Sequence, residues 1–430
     1  MKAILNLKKL PQGALGWAFY DWANSAFALI VLAGIFPILY PDFWANNMSA
    51  ADQTFWYGLT VTTASLVVVI LAPFLGAFAD QGGRRKIFLL SFAIMGALAT
   101  ALLVLPKEGQ WKWASLAFIV GAVGFYCANI FYDSLLVDVS DRKNAHLISG
   151  LGFSLGYFGS VLLFIFNIII IERAADMGPE KQIQATRFAF LCTAVWWMLF
   201  TIPLMLYVKE PKSGRGKPLG HVVGASLNQL RKTFGDILKN RTMFWFLIAY
   251  WFYIDGVNTI VTMAVNYGKI LGFETGSLLK TLVLVQVVGV PFAMLFGWLG
   301  QRLGPTKLLH TGILIYLGVT VYGSMLTLEP TRIFGHEISK IYILVFLIGS
   351  VQGGLQALSR SYFVTLIPRE RAAEYFGFYN MIGKSAAILG PLIMGTIAKL
   401  SGEPRYGILA VSLLFVAGGI CLLQVSKPVD

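Results

Sequence analysis

Five ionisable residues lie inside stretches of the sequence that are otherwise apolar. Three are acids and two are bases: Asp21, Asp133, Asp255, Arg360 and Lys384. A charge at the centre of a membrane helix costs on the order of 2.5–3.5 kcal/mol, so such residues usually face a cavity or a charged partner. Because a buried carboxylate can take up a proton or bind an amine, we expect this role for Asp21 and Asp255. The two bases, Arg360 and Lys384, are expected to hold an anionic group such as a carboxylate.

Polar side chains at helical spacing accompany the three acids. Each acid has an asparagine three or four residues away, and residues at that spacing share one face of a helix. Two glutamines precede Arg360 at intervals of four residues, Tyr20 stands directly before Asp21, and Tyr253 stands two residues before Asp255. The residues predicted to line a substrate or proton cavity are Tyr20, Asp21, Asn24, Asn129, Asp133, Tyr253, Asp255, Asn258, Gln352, Gln356, Arg360 and Lys384. Asp133 and Arg360 lie near the ends of their apolar stretches, which leaves open a purely structural ion pair that closes the cytoplasmic mouth of the cavity.

The elements that position these residues must be membrane helices. Of the 430 residues, 57% are hydrophobic and 13% are charged, and the mean hydropathy of +0.70 excludes a water-soluble domain. Twelve apolar runs have the length of about 20 residues that a bilayer core requires. They lie near 15–40, 55–79, 87–105, 113–137, 148–171, 186–208, 242–266, 278–300, 308–328, 341–364, 375–398 and 406–425. We expect an all-α membrane protein of twelve transmembrane helices in two pseudo-symmetric six-helix bundles, 1–208 and 242–430, joined by a connecting loop at 209–241.

The basic excess of the chain orients these helices. If the connecting loop and both termini are cytoplasmic, the loops on that side carry 21 Lys and Arg residues and the opposite loops carry 11. Cytoplasmic loops of membrane proteins are enriched in these residues, so the net charge of +13 needs no nucleic-acid partner. The three cysteines and four histidines form no cluster that predicts a disulfide, a metal site or a cofactor. The sequence also lacks a phosphate-binding loop and the hydrolase motifs that would indicate an enzyme.

The two predicted bundles share three patterns. Asp21-x-x-Asn24 recurs as Asp-x-x-Asn at a shift of 234 residues, and Asn129-x-x-x-Asp133 is matched by Gln-x-x-x-Arg at a shift of 227. The sequence Gly76-x-x-x-Asp80 and its basic continuation is matched after the eighth run at a shift of 221. Agreement in order and in shift favours duplication, and parallel repeats are typical of transporters.

The third pattern resembles the loop signature of the major facilitator superfamily. Its residues are Gly76, Asp80, Gly83, Arg84 and Arg85, and it departs from the signature at position 81, where a glutamine replaces the usual base. The resemblance implies that this loop steadies one of two conformations, with Asp80 and one of the arginines engaging neighbouring helix ends near Asp138 or Asp141. It also implies that spans one, four, seven and ten line a central cavity, and these spans carry four of the five charges.

Four further segments are similar to one branch of that superfamily, the vacuolar-effluxer-like transporters associated with autophagy in fungi. They are Tyr-Asp-Trp-Ala-Asn-Ser-Ala at 20–26, Gln-Ala-Leu-Ser-Arg-Ser at 356–361, Glu-Tyr-Phe-Gly-Phe-Tyr at 374–379 and Leu-Gly-Pro at 389–391. The resemblance implies a secondary active transporter working by alternating access, with a small solute, a coupling proton and the lipid bilayer as partners and amino acids as the lead substrate. Short loops favour a bacterial, monomeric member in the inner membrane. A non-transporting sensor or scaffold on the same fold stays open as the alternative.

Overall fold

A computed structural model describes residues 10–82, 84–210, 219–333, 336–386 and 389–425, and nearly all of these are helical. The helices are α1 Ala14–Trp44, α2 Ala50–Gly82, α3 Arg85–Leu102, α4 Trp111–Ser134 with a further turn at Leu136–Val139, α5 Ala145–Ala175, α6 Pro179–Tyr207, α7 Leu219–Lys239, α8 Arg241–Ile270, α9 Thr275–Leu303, α10 Pro305–Ser324, α11 Lys340–Leu366, α12 Ala372–Ser385, α13 Leu389–Ser401, α14 Pro404–Ala410 and α15 Ser412–Leu423. A short antiparallel hairpin, β1 Thr331–Ile333 and β2 His336–Ile338, precedes α11.

The helices confirm the twelve predicted spans. Within the described residues, eleven helical segments are long and apolar enough to cross a membrane, and α10 supplies the remaining predicted span. Apolar runs of this length form helices because a helix satisfies its own backbone hydrogen bonds where no water is available. The protein is therefore a multi-pass integral membrane protein.

Two local features differ from the sequence-based expectation. The connecting segment, expected as a loop, contains α7, where buried Leu230, Thr233 and Ile237 recur at helical spacing between exposed basic residues. The β-hairpin was not predicted, because three-residue strands leave too short a pattern to recognise. The eleventh span, expected at 375–398, is described as α12 and α13, and residues 387 and 388 between them lie outside the described residues.

The chain forms two compact units that do not coincide with the two halves of the sequence. The first unit comprises residues 1–141, 155–230 and 367–381, and the second comprises 142–154, 231–366 and 382–430. The beginning of α5 thus packs with helices of the second half, and most of α12 packs with helices of the first half. Bundle limits at 1–208 and 242–430 remain a prediction.

Candidate functional site

In the first unit, Asp21 lies on α1 among aromatic rings. Its carboxylate accepts a hydrogen bond of 2.7 Å from the Tyr132 hydroxyl on α4, and its side chain is almost fully buried. The Tyr132 ring stacks on Trp17 with the centroids 4.5 Å apart and contacts Tyr20 at 4.9 Å. The Trp17 indole donates to the Tyr132 carbonyl at 2.8 Å, which fixes the ring that holds the carboxylate.

One turn further along α1, two predicted site residues meet. The Asn24 amide donates to the Asn129 side-chain oxygen on α4 at 2.6 Å. Helix α5 approaches α1 closely here, because Gly156 lies where an added Cβ would come within 3.1 Å of the Asp21 carbonyl oxygen. The contact between α1 and α4 therefore brings together four of the predicted residues, Tyr20, Asp21, Asn24 and Asn129. The spacing of residues along one helix could not predict this contact between two helices.

Asp133 lies one turn beyond Asn129, at the C-terminal end of α4. Its carboxylate accepts a hydrogen bond of 3.2 Å from the Asn380 amide on α12, and the same amide also donates to the Phe376 carbonyl at 3.0 Å. The Asp133 side chain is only 8% exposed. Asn380 was missed by sequence reasoning because it lies 247 residues away along the chain.

In the second unit, the polar face of α8 contacts two other helices. The Tyr253 hydroxyl lies 2.7 Å from the Ser359 hydroxyl on α11. The Asp255 carboxylate accepts the backbone N–H groups of Leu389 at 3.1 Å and Gly390 at 2.9 Å, the first two residues of α13. Asn258, the predicted companion of Asp255, is half-buried one turn along α8.

Arg360 on α11 is a buried cation with several contacts to α5. Its Nε donates to the Ser149 hydroxyl at 3.0 Å and its Nη2 donates to the Ser149 carbonyl at 3.2 Å. The guanidinium also lies over the Phe153 ring, 4.5 Å from the centroid. Beside it, His146 Nδ1 lies 2.8 Å from the Ser361 hydroxyl. Sequence analysis counted His146 only among four histidines that form no cluster, and it missed Ser149, since neither spacing nor charge distinguishes a single helical serine.

The remaining predicted cavity residues lie on α11 and α12. Gln352 and Gln356 are half-buried one turn apart on α11. Among the described residues, the Gln352 side-chain oxygen is one of the buried acceptors without a hydrogen-bond partner. Lys384 is half-buried in the last turn of α12, where the helix carbonyls favour a positive charge.

The loop after α2 connects several helix ends of the first unit. The Asp80 carboxylate accepts the backbone N–H of Glu374 at 2.8 Å, at the start of α12. Arg85 forms an ion pair of 2.8 Å with Asp138, which confirms one of the two partners that the superfamily resemblance implied. Glu210, which sequence reasoning missed, lies 3.5 Å from the same guanidinium.

The other residues of this loop motif differ in their roles. Of the two neighbouring arginines, Arg84 is exposed, whereas Arg85 is buried and contacts acidic side chains. Gly83 lies outside the described residues. Gly76 allows close helix contact, since an added Cβ would lie 2.8 Å from the Ala373 carbonyl carbon of α12.

The second copy of the motif brings α9 equally close to α5. An added Cβ on Gly297 would lie 2.6 Å from the His146 carbonyl oxygen, and one on Gly150 would lie 2.7 Å from the Ala293 carbonyl oxygen. Gly304 has a φ of 92°, which only glycine adopts readily, and it starts the turn into α10. The repeated glycines thus make equivalent helix contacts in the two units, as a duplicated architecture requires.

Solved structures with the same fold are major facilitator transporters. The proton:xylose symporter XylE matches with a TM-score of 0.70 at 15% identity, covering 96% of this chain and 94% of that chain. FucP in its outward conformation gives a TM-score of 0.68 at 16% identity, covering 96% and 98%. The human organic anion transporter MFSD10 gives 0.69 at 14% identity, covering 95% and 97%. The chain therefore has the fold of this class of transporter.

Sequence comparisons identify the family within that class. The model of the "Vacuole effluxer Atg22 like" family matches residues 11–144 and 137–428. The MFS-type transporter YxiO of Bacillus subtilis (strain 168) is 40% identical over 98% of this chain and 96% of its own length, and autophagy-related protein 22 of Coccidioides immitis (strain RS) is 23% identical over 96% and 86%. The chain belongs to the vacuole effluxer Atg22-like family, and it resembles the bacterial member YxiO more than the fungal protein. The predicted family resemblance is confirmed.

Proposed function

We propose that this protein is a proton-coupled secondary transporter of small zwitterions, with amino acids as the first class to test. The observation that carries the proposal is the buried Asp21 carboxylate, held by Tyr132 and surrounded by aromatic rings. A carboxylate in such surroundings can exchange a proton, and aromatic faces attract the ammonium group of an amino acid. XylE and FucP, which have the same fold, are named as proton symporters, and this supports a proposal of proton coupling.

Lys384 is the proposed partner for the substrate carboxylate. It stands in the last turn of α12, half-buried within the eleventh span, and a buried lysine inside a membrane helix is retained where it binds an anion or a partner. Transport would follow from alternating access, in which two six-helix bundles at 1–208 and 242–430 rock around the substrate. We further propose that the protein acts as a monomer in the bacterial inner membrane with both termini in the cytoplasm.

Uptake into proteoliposomes tests this proposal. Wild-type protein should accumulate a radiolabelled amino acid when the pH gradient is imposed and lose this accumulation when the gradient is collapsed. Asp21→Asn should reduce the uptake rate at least tenfold, and Lys384→Ala should do the same. Asp52→Asn is the matched control, because Asp52 is an exposed carboxylate at the start of α2.

Two results would contradict the proposal. Gradient-driven uptake that persists in Asp21→Asn would exclude Asp21 as the coupling carboxylate. Solutes that raise the thermal stability of the protein without any flux would instead favour a sensor on a transporter fold, since ligand binding alone stabilises the native state.

A further inference from the structure

We propose that Asp255 is a positioning residue that fixes the start of α13 and, with it, the setting of the eleventh span beside Lys384. This role differs from the proton or amine site predicted from the sequence. It rests on the proposed function only for its consequence on transport, while its structural part can be measured without any substrate.

The start of α13 has backbone donors that its own helix cannot satisfy. The first N–H groups of a helix lack intrahelical acceptors, and inside a membrane no water replaces them. Leu389 and Gly390 are the first two residues of α13, and the third, Pro391, has no N–H. The two oxygens of Asp255 accept the N–H groups of Leu389 at 3.1 Å and Gly390 at 2.9 Å. One side chain from α8 thus satisfies the first two donors of α13.

The packing at Gly390 is built around this contact. An added Cβ on Gly390 would lie 2.7 Å from the Asp255 carboxylate, and still closer to the Thr259 hydroxyl. Thr259, one turn along α8, donates to the Asp255 backbone carbonyl at 2.7 Å and lies 3.3 Å from its carboxylate. The absence of a side chain at position 390 therefore lets α13 approach α8 closely enough for the two hydrogen bonds to form.

The chemistry of the contact requires a carboxylate. Both oxygens of Asp255 act as acceptors, and hydrogen bonds to a charged acceptor are about twice as strong as those between neutral groups. Asparagine has the same shape but one acceptor, and its NH2 group would face an N–H of α13. Because both carboxylate oxygens already bind backbone, a substrate amine would have to compete with α13 for them. Loss of Asp255 should therefore act through the position of α13.

Hydrogen exchange measured by mass spectrometry tests the structural part. Peptides covering residues 389–394 are compared in the wild type, Asp255→Asn, Gly390→Ala and the double variant. Both single variants should raise the exchange rate in this segment by roughly tenfold, because local opening no longer breaks the two hydrogen bonds. The matched control is Gly395→Ala on the same helix, whose added Cβ meets nothing within 4 Å. It should exchange as the wild type does.

Uptake by the wild type and the same three variants tests the consequence for transport. If Asp255 and Gly390 act through one contact, the two substitutions are not additive, and the double variant should be about as slow as the slower single variant. Asp255→Asn that loses uptake while residues 389–394 keep wild-type exchange would overturn the proposal, as would wild-type exchange in Gly390→Ala. Should the wild type itself transport no tested solute, the exchange data would still decide the position of α13, whereas the transport proposal alone would fail.

Discussion

Replacing Arg85 by methionine should destabilise the protein more than removing either of its acidic partners. The guanidinium lies 2.8 Å from Asp138 and 3.5 Å from Glu210, and the three side chains are 9%, 9% and 12% exposed. At an effective dielectric constant of about 20, these separations correspond to roughly 6 and 5 kcal/mol of attraction before desolvation is subtracted. Desolvation offsets much of this, and removing one partner of a buried pair typically costs about 3–5 kcal/mol.

The structure predicts an order for the variants. Arg85→Met leaves two carboxylates without their shared cation, so we expect a loss of about 3–5 kcal/mol in the free energy of unfolding. Asp138→Asn leaves Arg85 paired with Glu210, so a loss of about 1–3 kcal/mol is expected. The neighbouring variant Arg84→Met removes an exposed side chain and should stay within about 0.5 kcal/mol of the wild type.

The assay is reversible unfolding of purified protein by SDS in mixed micelles, with each variant measured at the same lipid and detergent composition. A double-mutant cycle of Arg85 and Asp138 isolates the energy of their coupling. The reasoning would be refuted if Arg84→Met cost as much as Arg85→Met, or if Asp138→Asn cost more than the loss of the arginine.

Three further predictions follow from contacts within single units. Gly76→Ala should cost about 1–3 kcal/mol in the same assay, since its Cβ would overlap the α12 backbone, whereas Gly58→Ala, with open space around it, should cost nothing measurable. Arg360→Lys keeps the charge but loses the two-point contact with α5, so the free energy of unfolding should fall by about 1–3 kcal/mol. A variant as stable as the wild type would contradict this prediction. Tyr132→Phe keeps the ring stacking but removes the hydrogen bond to Asp21, so proton-driven uptake should fall by roughly tenfold, and an unchanged rate would show that the hydroxyl is dispensable.

Hydropathy was sufficient to place the twelve spans, because the bilayer imposes one length and one composition on every helix. The resemblance of the loop after α2 also predicted Asp138 or Asp141 as a partner of a motif arginine, and Asp138 is the acid that pairs with Arg85. The helix α7 in the connecting segment was not predicted. The segment 209–241 holds eight Lys and Arg residues and no continuous apolar run, so its average hydropathy predicts a loop.

The partners of the buried charges could not be predicted. Spacing identifies residues on one face of one helix, but Ser149, Asn380 and Leu389 reach their charged partners from helices more than 130 residues away in the sequence. The contact at Leu389 uses only a backbone N–H, which leaves no trace in the residue type. The sequence therefore indicated that Asp255 needs a partner without indicating that the partner is the start of a helix.

Three helices have residues in both compact units, and in α7 the change of unit falls between Leu230 and Arg231. In α5 the change of unit falls between Ser154 and Leu155, and in α12 it falls between Met381 and Ile382. The two ends of such a helix pack in different surroundings, so they can differ in local stability. Hydrogen exchange measured on α5 alone, on either side of Ser154, would therefore report the local stability of each unit from a single helix.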